Sequence, residues 1–258
     1  MRIINQDVIP SRKTCQKCKL ETTLDFDFSM AFQPIVDCKA RRIFGYEALV
    51  RGKNNEPAWS VISRVTDENR YAFDQACRVK AITLASKLEM PGFLSINFLP
   101  NAVYKAERCI RTTLDAASKY KFPIEKIMFE FTEGEKIENI PHLKDIVEHY
   151  QSLGFITAID DFGAGYSGLA LLCEFQPNIV KLDMNLIRNA NNCPTKQIIL
   201  SHSISMLHHL RITPLAEGVE TKGELGLLLD LGVYLMQGYL FAKPGFEHLP
   251  PASFAMLD

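Results

Sequence analysis

Acidic and amide side chains stand near the ends of separate apolar runs along the chain: Glu47, Asn97, Glu130, Asp160 with Asp161, and Glu217. All of them offer oxygen. Hard donors of this kind select Mg²⁺ or Mn²⁺ and also take Ca²⁺, and no Cys or His stands at these positions to suggest zinc. Brought together without cations they would repel one another, so the set calls for two divalent ions about 3.5–4 Å apart, bridged by a carboxylate such as Asp160. Such a pair is suited to splitting a phosphodiester: it lowers the pKa of a shared water, aligns it for in-line attack and neutralises charge on the phosphoryl oxygens. Lys181 is placed to hydrogen-bond that water or the developing charge, although a strand-end salt bridge with Asp183 fits its position equally well. Arg51 offers a planar fork for a phosphate just past Glu47.

The stretch 160-DDFGAGYSGL-169 admits another reading. Gly163, Gly165 and Gly168 spell G-x-G-x-x-G behind the apolar run 155-FITAI-159, with Asp183 following at the distance a dinucleotide-binding fingerprint requires. That loop would set Asp160 and Asp161 beside a pyrophosphate. Each carboxylate–phosphate pair at ~4 Å costs about 1 kcal/mol with water between and about 4 kcal/mol near a protein surface, and only a bound cation reverses the sign. The glycines are better explained as a turn that presents two carboxylates, a nicotinamide or flavin site being the alternative. Because neighbours on a regular strand point to opposite faces, Asp160 and Asp161 can share a site only if the strand ends between them.

Positioning these groups falls to elements that alternate along the chain. Strand-like runs cover 30–36, 42–50, 92–98, 126–132, 155–160, 178–183, 212–218 and 233–239, rich in β-branched and aromatic residues. Helical periods fill 70–89, 101–120, 141–154, 166–175, 195–210 and 221–232, with Pro141 at a first turn and Gly154 at an exit. This order implies a mostly parallel sheet covered by helices. An open doubly wound sheet gathers ligands at one switch point, whereas a closed barrel brings every strand end to one mouth. Polar tips on Glu47, Asn97, Glu130, Asp160, Lys181, Glu217 and Gln237 therefore favour an α/β fold of the (β/α)8 TIM-barrel kind. The short polar link 37–41 makes the first two runs a hairpin, so the barrel is expected to start irregularly and partly antiparallel.

The 258 residues, 47% hydrophobic and 23% charged, suit one such domain, with residues 1–28 read as an N-terminal arm or linker and 29–258 as the barrel. Lys plus Arg number 29 against 30 Asp plus Glu, which gives no overall field for DNA or an anionic membrane. Seven cysteines without a framework point to a reducing cytoplasm, and no stretch approaches the ~20 apolar residues of a membrane span. Cys15 and Cys18 form a C-x-x-C, read either as half a metal or redox site or as two free thiols; His208 and His209 read as a solvated or capping pair.

Taken in order, 33-QPI-35, 47-EALVR-51, 95-SIN-97, 130-EFTE-133, 160-DDFGAGYS-167, 181-KLD-183, 216-AEGVE-220 and 237-QGY-239 resemble the signature of EAL-domain cyclic-di-GMP phosphodiesterases, from about Phe32 to about Pro244. The resemblance implies a modified TIM barrel with one strand reversed near its start, hydrolysing cyclic-di-GMP to linear pGpG. It implies first-metal ligands Glu47, Asn97, Glu130 and Asp160, second-metal ligands Asp160 and Asp161, and Glu217 beside the second metal. Lys181 is similar to the family's water-binding lysine and Gln237 to a polar group near the nucleophilic water. Glu133 resembles the carboxylate that braces the 161–168 loop, which in this family couples dimerisation to metal binding. Gln33, Leu49, Arg51 and Asn97 are similar to substrate-contacting residues. Two Mg²⁺ or Mn²⁺ ions per site are implied, with Ca²⁺ binding and inhibiting. A homodimer through helices near 161–175 is expected, with a regulatory protein partner as a further input. Ala164 stands where many members carry Thr, and Leu99 where Ser is frequent; neither removes a ligand. The competing function is a receptor or adaptor of the same fold that binds cyclic-di-GMP or a protein without turnover.

Overall fold

A computed structural model describes residues 24–132, 139–165 and 168–257. Strands β1 (Phe28–Asp37) and β2 (Arg42–Gly52) come first, followed by helices α1 (Trp59–Ile62) and α2 (Arg70–Lys87). Next are β3 (Phe93–Asn97), α3 (Ala106–Cys109), α4 (Arg111–Tyr120), β4 (Ile127–Thr132) and α5 (Ile140–Ser152). The chain continues through β5 (Ile156–Phe162), α6 (Gly168–Glu174), β6 (Ile179–Leu182), α7 (Met184–Ile187), α8 (Pro194–His209) and β7 (Thr213–Ala216). It finishes with α9 (Lys222–Asp230), β8 (Leu235–Met236) and β9 (Gly245–Phe246).

Strands β2 to β8 pair in sequence order, all in parallel. β1 closes the ring antiparallel to both β2 and β8, so the barrel is closed with one reversed strand, as the hairpin reading anticipated. Strand alternation then sets the interior. Ile35, Met128, Ala158, Ile179, Leu215 and Leu235 form a small apolar cluster of their own, inside the ring and separate from the main core. Two residues further toward the mouth, on those same strands or, for Glu217 and Gln237, just past their ends, stand Gln33, Glu130, Asp160, Lys181, Glu217 and Gln237. An apolar plug thus lies one inward step beneath a polar rim. The outward-facing residues, such as Phe129, Phe131, Val180 and Ala48, join the main core beneath the helices.

Several helix ends follow from local chemistry. Asn139 caps α5 by accepting from the His142 N–H, Pro141 sits in its first turn, and Gly154 takes φ +95° after its end. Thr221 and Glu224 form a capping box at the start of α9. Two expected elements differ. The helix expected over 101–120 is broken: Pro100–Ala102 make a 3₁₀ turn, Val103 and Lys105 are extended, and α3 and α4 are separate. The strand expected over 233–239 pairs only at Leu235–Met236. Beyond it Gly238 lies so close to Val219 that an added Cβ would stand 2.1 Å from the Val219 carbonyl oxygen, and the chain turns there.

Cys15, Cys18 and Glu133 lie outside the described residues. Among the described residues the cysteines are free, and no helix is long and apolar enough to cross a membrane.

Candidate metal centre

The rim of the barrel carries two groups of carboxylates. One oxygen each from Glu47, Glu130 and Asp160 fall within 4.8 Å of one another, and so do oxygens from Asp160, Asp161 and Glu217. Asp160 belongs to both. Asn97 donates its amide to Glu47 Oε1 at 3.0 Å, and Gln237 Nε2 bridges Glu47 Oε2 at 2.7 Å and Gln33 Oε1 at 3.1 Å. The pairing of Gln33 opposite Glu47 in the β1–β2 hairpin brings these last groups together.

Lys181 is fully buried at the centre. Its Nζ lies 2.8 Å from Glu217, 2.9 Å from Glu130, 3.1 Å from Asp160 and 3.6 Å from Glu47. Asp183, the alternative partner, instead caps α7 through the Asn185 N–H, because β6 ends at Leu182 and the chain turns away. Burial alone would lower the Lys181 pKa; Asp160, Glu130, Glu217 and Glu47 outweigh it and hold the ammonium charged well above its ordinary range. The carboxylates respond in the other direction. Burial pushes Glu130 up to about 8 against the pull of Lys181, with Glu47 and Asp160 adding to the rise, and burial likewise lifts Glu217 well above the usual carboxylate range.

How Asp160 and Asp161 share the site differs from the expectation. β5 does not end between them. It continues to Phe162 through a register shift against β6 that falls between Ile159 and Phe162, and Asp161 takes a left-handed φ of +56°. This bulge interrupts the alternation of a regular strand. Asp tolerates the left-handed region better than most residues, which fits its presence at the bulge. Gly163 follows at φ +97°, where a Cβ would stand 2.5 Å from Leu186 Cδ1. The glycines therefore form a turn after two carboxylates, and the helix behind them, α6, is short.

A cavity of about 330 Å³ opens above the carboxylates, lined by Gln33, Leu49, Asp160, Asp161, Glu217 and Gln237 among others. Arg51 does not line it; its guanidinium donates to the Val50 carbonyl at 2.7 Å. Asp183, Met184, Glu220 and Tyr239 also line the cavity and were not named from the sequence as site residues, although Asp183, Glu220 and Tyr239 stand inside the quoted motifs KLD, AEGVE and QGY.

The donor set fits divalent cations. Its atoms are hard oxygens, and among the described residues a single ammonium faces Glu47, Glu130, Asp160 and Glu217 while Glu130 Oε1 is buried without a hydrogen-bond partner.

A closed barrel with an all-oxygen, lysine-centred rim defines an α/β barrel class with a candidate divalent-cation site at its mouth. The EAL domain model matches residues 19–244, and the chain belongs to the EAL-domain family. It is 33% identical over 241 residues to the blue light- and temperature-regulated antirepressor BluF of Escherichia coli K12, covering 93% of this chain and 59% of that protein. It is 31% identical over 160 residues to the cyclic di-GMP phosphodiesterase RocR of Pseudomonas aeruginosa, covering 62% of this chain and 40% of that one. The chain thus spans only part of the length of these curated relatives. Among solved structures, a standalone versatile EAL protein from Vibrio cholerae O395 in its c-di-GMP-bound form is 63% identical with a TM-score of 0.89, over 92% of this chain and 100% of that chain. Klebsiella pneumoniae BlrP1 in its manganese/cy-diGMP complex is 33% identical with a TM-score of 0.80, over 85% and 56%.

Proposed function

We propose that this chain hydrolyses cyclic-di-GMP to linear 5′-pGpG with two Mg²⁺ or Mn²⁺ ions at the barrel rim. The observation that carries the reading is the pair of carboxylate groups sharing Asp160 around a buried, charged Lys181. The RocR relative and the c-di-GMP-bound neighbours supply the choice of phosphodiester. Glu47, Asn97, Glu130 and Asp160 would hold one ion; Asp160, Asp161 and Glu217 the other. Bound there, the ions would supply activation of a water and neutralisation of phosphoryl charge.

The chain's own groups do the rest. Lys181 keeps its proton at every pH of interest and donates a hydrogen bond to the attacking water or the charge that develops. Gln237 fixes the Glu47 carboxylate against Gln33, so the ligand does not swing when the rim is loaded. The cavity above receives the substrate, with Gln33, Leu49, Arg51 and Asn97 as its contacts; Arg51 must leave the Val50 carbonyl to reach a phosphate. The family resemblance alone assigns Glu133 to bracing the 161–168 loop. The catalytic domain takes in β1 from Phe28 and the buried Phe26, so the proposed arm is confined to residues before these. The protein works in the cytoplasm as a homodimer, with Leu169 exposed on α6 as a contact, and neither DNA nor a membrane binds it directly. The same rim oxygens would also hold Ca²⁺, without supporting turnover.

The second reading is a receptor or adaptor, favoured by the BluF relative, an antirepressor. The two separate in one assay. Pure protein is incubated with cyclic-di-GMP and Mg²⁺ or Mn²⁺, with and without chelator, and pGpG is read by chromatography. Metal-dependent pGpG, lost in Glu47→Ala with an unchanged circular dichroism spectrum, is expected; retention of intact cyclic-di-GMP on the protein without product would favour the receptor.

A further inference from the structure

We propose that a buried ion-pair network behind the barrel wall, Arg78–Asp74–Tyr150, is a positioning device for Asn97 and Glu130; this rests on the metal-site reading above. Both members of the pair belong to α2. Arg78 Nη2 lies 2.8 Å from Asp74 Oδ2, Nη1 donates to the Tyr150 hydroxyl at 3.1 Å, and Arg78 and Asp74 are almost fully buried. None of them touches the rim cavity.

Their other contacts lead to it. Asp74 Oδ1 accepts the backbone N–H of Leu99 at 3.0 Å, which ties down the chain two residues past Asn97. The guanidinium lies over Phe98 and Phe129, 5.4 and 5.0 Å from their ring centroids. Phe98 follows Asn97, and Phe129 precedes Glu130. On alternating backbone the outward ring and the inward ligand are neighbours, so gripping the rings fixes the ligands. The Phe98 N–H also donates to the Glu130 carbonyl at 2.9 Å, which locks the two segments together.

Stability alone does not account for the network. An apolar pair of similar volume is often as stable as a buried ion pair, and Arg78 Nε has no hydrogen-bond partner. What an apolar pair lacks is the acceptor for Leu99 N–H and the cation over both rings. The residues at issue are outside the quoted motifs, so sequence pattern gave no hint of them.

The test compares parent, Asp74→Asn and the double variant Asp74→Leu with Arg78→Met, each metal-stripped and titrated with Mn²⁺ alone by calorimetry and by the electron paramagnetic resonance of free Mn²⁺. In the double variant the tighter Mn²⁺ constant should weaken at least tenfold, with hydrolysis recovering as Mn²⁺ is raised. Asp74→Asn keeps an oxygen for Leu99 N–H and should stay within threefold of the parent. A folded double variant that binds Mn²⁺ like the parent would overturn the positioning role alone; a parent that binds no Mn²⁺ would overturn the metal reading with it. If the double variant does not fold, amide exchange on the metal-free parent decides. Leu99 N–H is expected to be protected before Mn²⁺ is added, and exchange at the rate of an open loop would overturn the proposal.

Discussion

Replacing Lys181 by Met should turn the protein into one whose folded state depends on metal. Among the described residues Lys181 is the single cation facing Glu47, Glu130, Asp160 and Glu217, and it is fully buried. A single ion pair at the 3.1 Å of Lys181–Asp160 has a gross attraction of about 5 kcal/mol at an effective dielectric of 20. Desolvation of both partners offsets part of that, and removing one member of a buried pair typically costs about 3–5 kcal/mol. At about 2–4 °C per kcal/mol for a domain of this size, the melting temperature in chelator should fall by roughly 6–20 °C. Divalent cations take over the lost compensation, so in excess Mn²⁺ the gap between variant and parent should close to a few degrees. Hydrolysis should remain at least ~10²-fold down, because the hydrogen bond proposed from Lys181 to the attacking water is not restored. The assay is differential scanning calorimetry of parent and variant, with chelator and with Mn²⁺, beside pGpG formation. An equal melting deficit with and without Mn²⁺ would refute the reasoning, since it would mean that the rim carboxylates gain nothing from a cation.

The raised pKa of Glu130 sets a pH dependence. Its folded value of about 8 exceeds the ordinary 4.5, so the stability it contributes is present below about pH 4.5 and is lost as pH rises through 8; urea midpoints of metal-free protein should fall across that window from this group. By the same sign, Mn²⁺ binding at pH 7 should release a proton, and apparent affinity should climb until about pH 8, measured by calorimetry in buffers of differing ionisation enthalpy. Asp161→Gly should leave the metal-free melting temperature unchanged or raise it, since Gly takes φ +56° freely, while lowering hydrolysis about 10²-fold or more; a fall in stability together with full activity would contradict both roles of this residue.

Much of the rim was legible because barrel interiors repeat every second residue and every strand ends at the same mouth. Glu47, Glu130, Asp160, Lys181, Glu217 and Gln237 each follow an apolar stretch, and that placement alone brings them together. What escaped is set by contacts distant in sequence. Asp160 and Asp161 share the mouth through a bulge against β6, which the rule of alternating faces forbids for a regular strand. The apolar period of 101–120 reads as one helix, yet Val103 and Lys105 are held extended, tertiary packing overriding propensity. Lys181 had two partners of equal merit on paper; the end of β6 at Leu182, which sends Asp183 to cap α7, decides between them. Asp74 and Arg78 look like ordinary charges on an amphipathic helix until the rings beneath them are seen.

The reversed first strand has a bearing on how such a barrel is wired to its surroundings. In an all-parallel barrel the chain enters at the floor, far from the loops that carry chemistry. Here Phe28 pairs with Gly52 at the upper end of β2, so the polypeptide arrives from above and runs downward past Gln33, whose partner in register is Glu47. Any upstream module is therefore leashed at the working face. A pull transmitted along β1 would reach Glu47 at the carboxylate rim after only a few residues, so fusions and truncations on that side should alter function far more readily than changes at the floor.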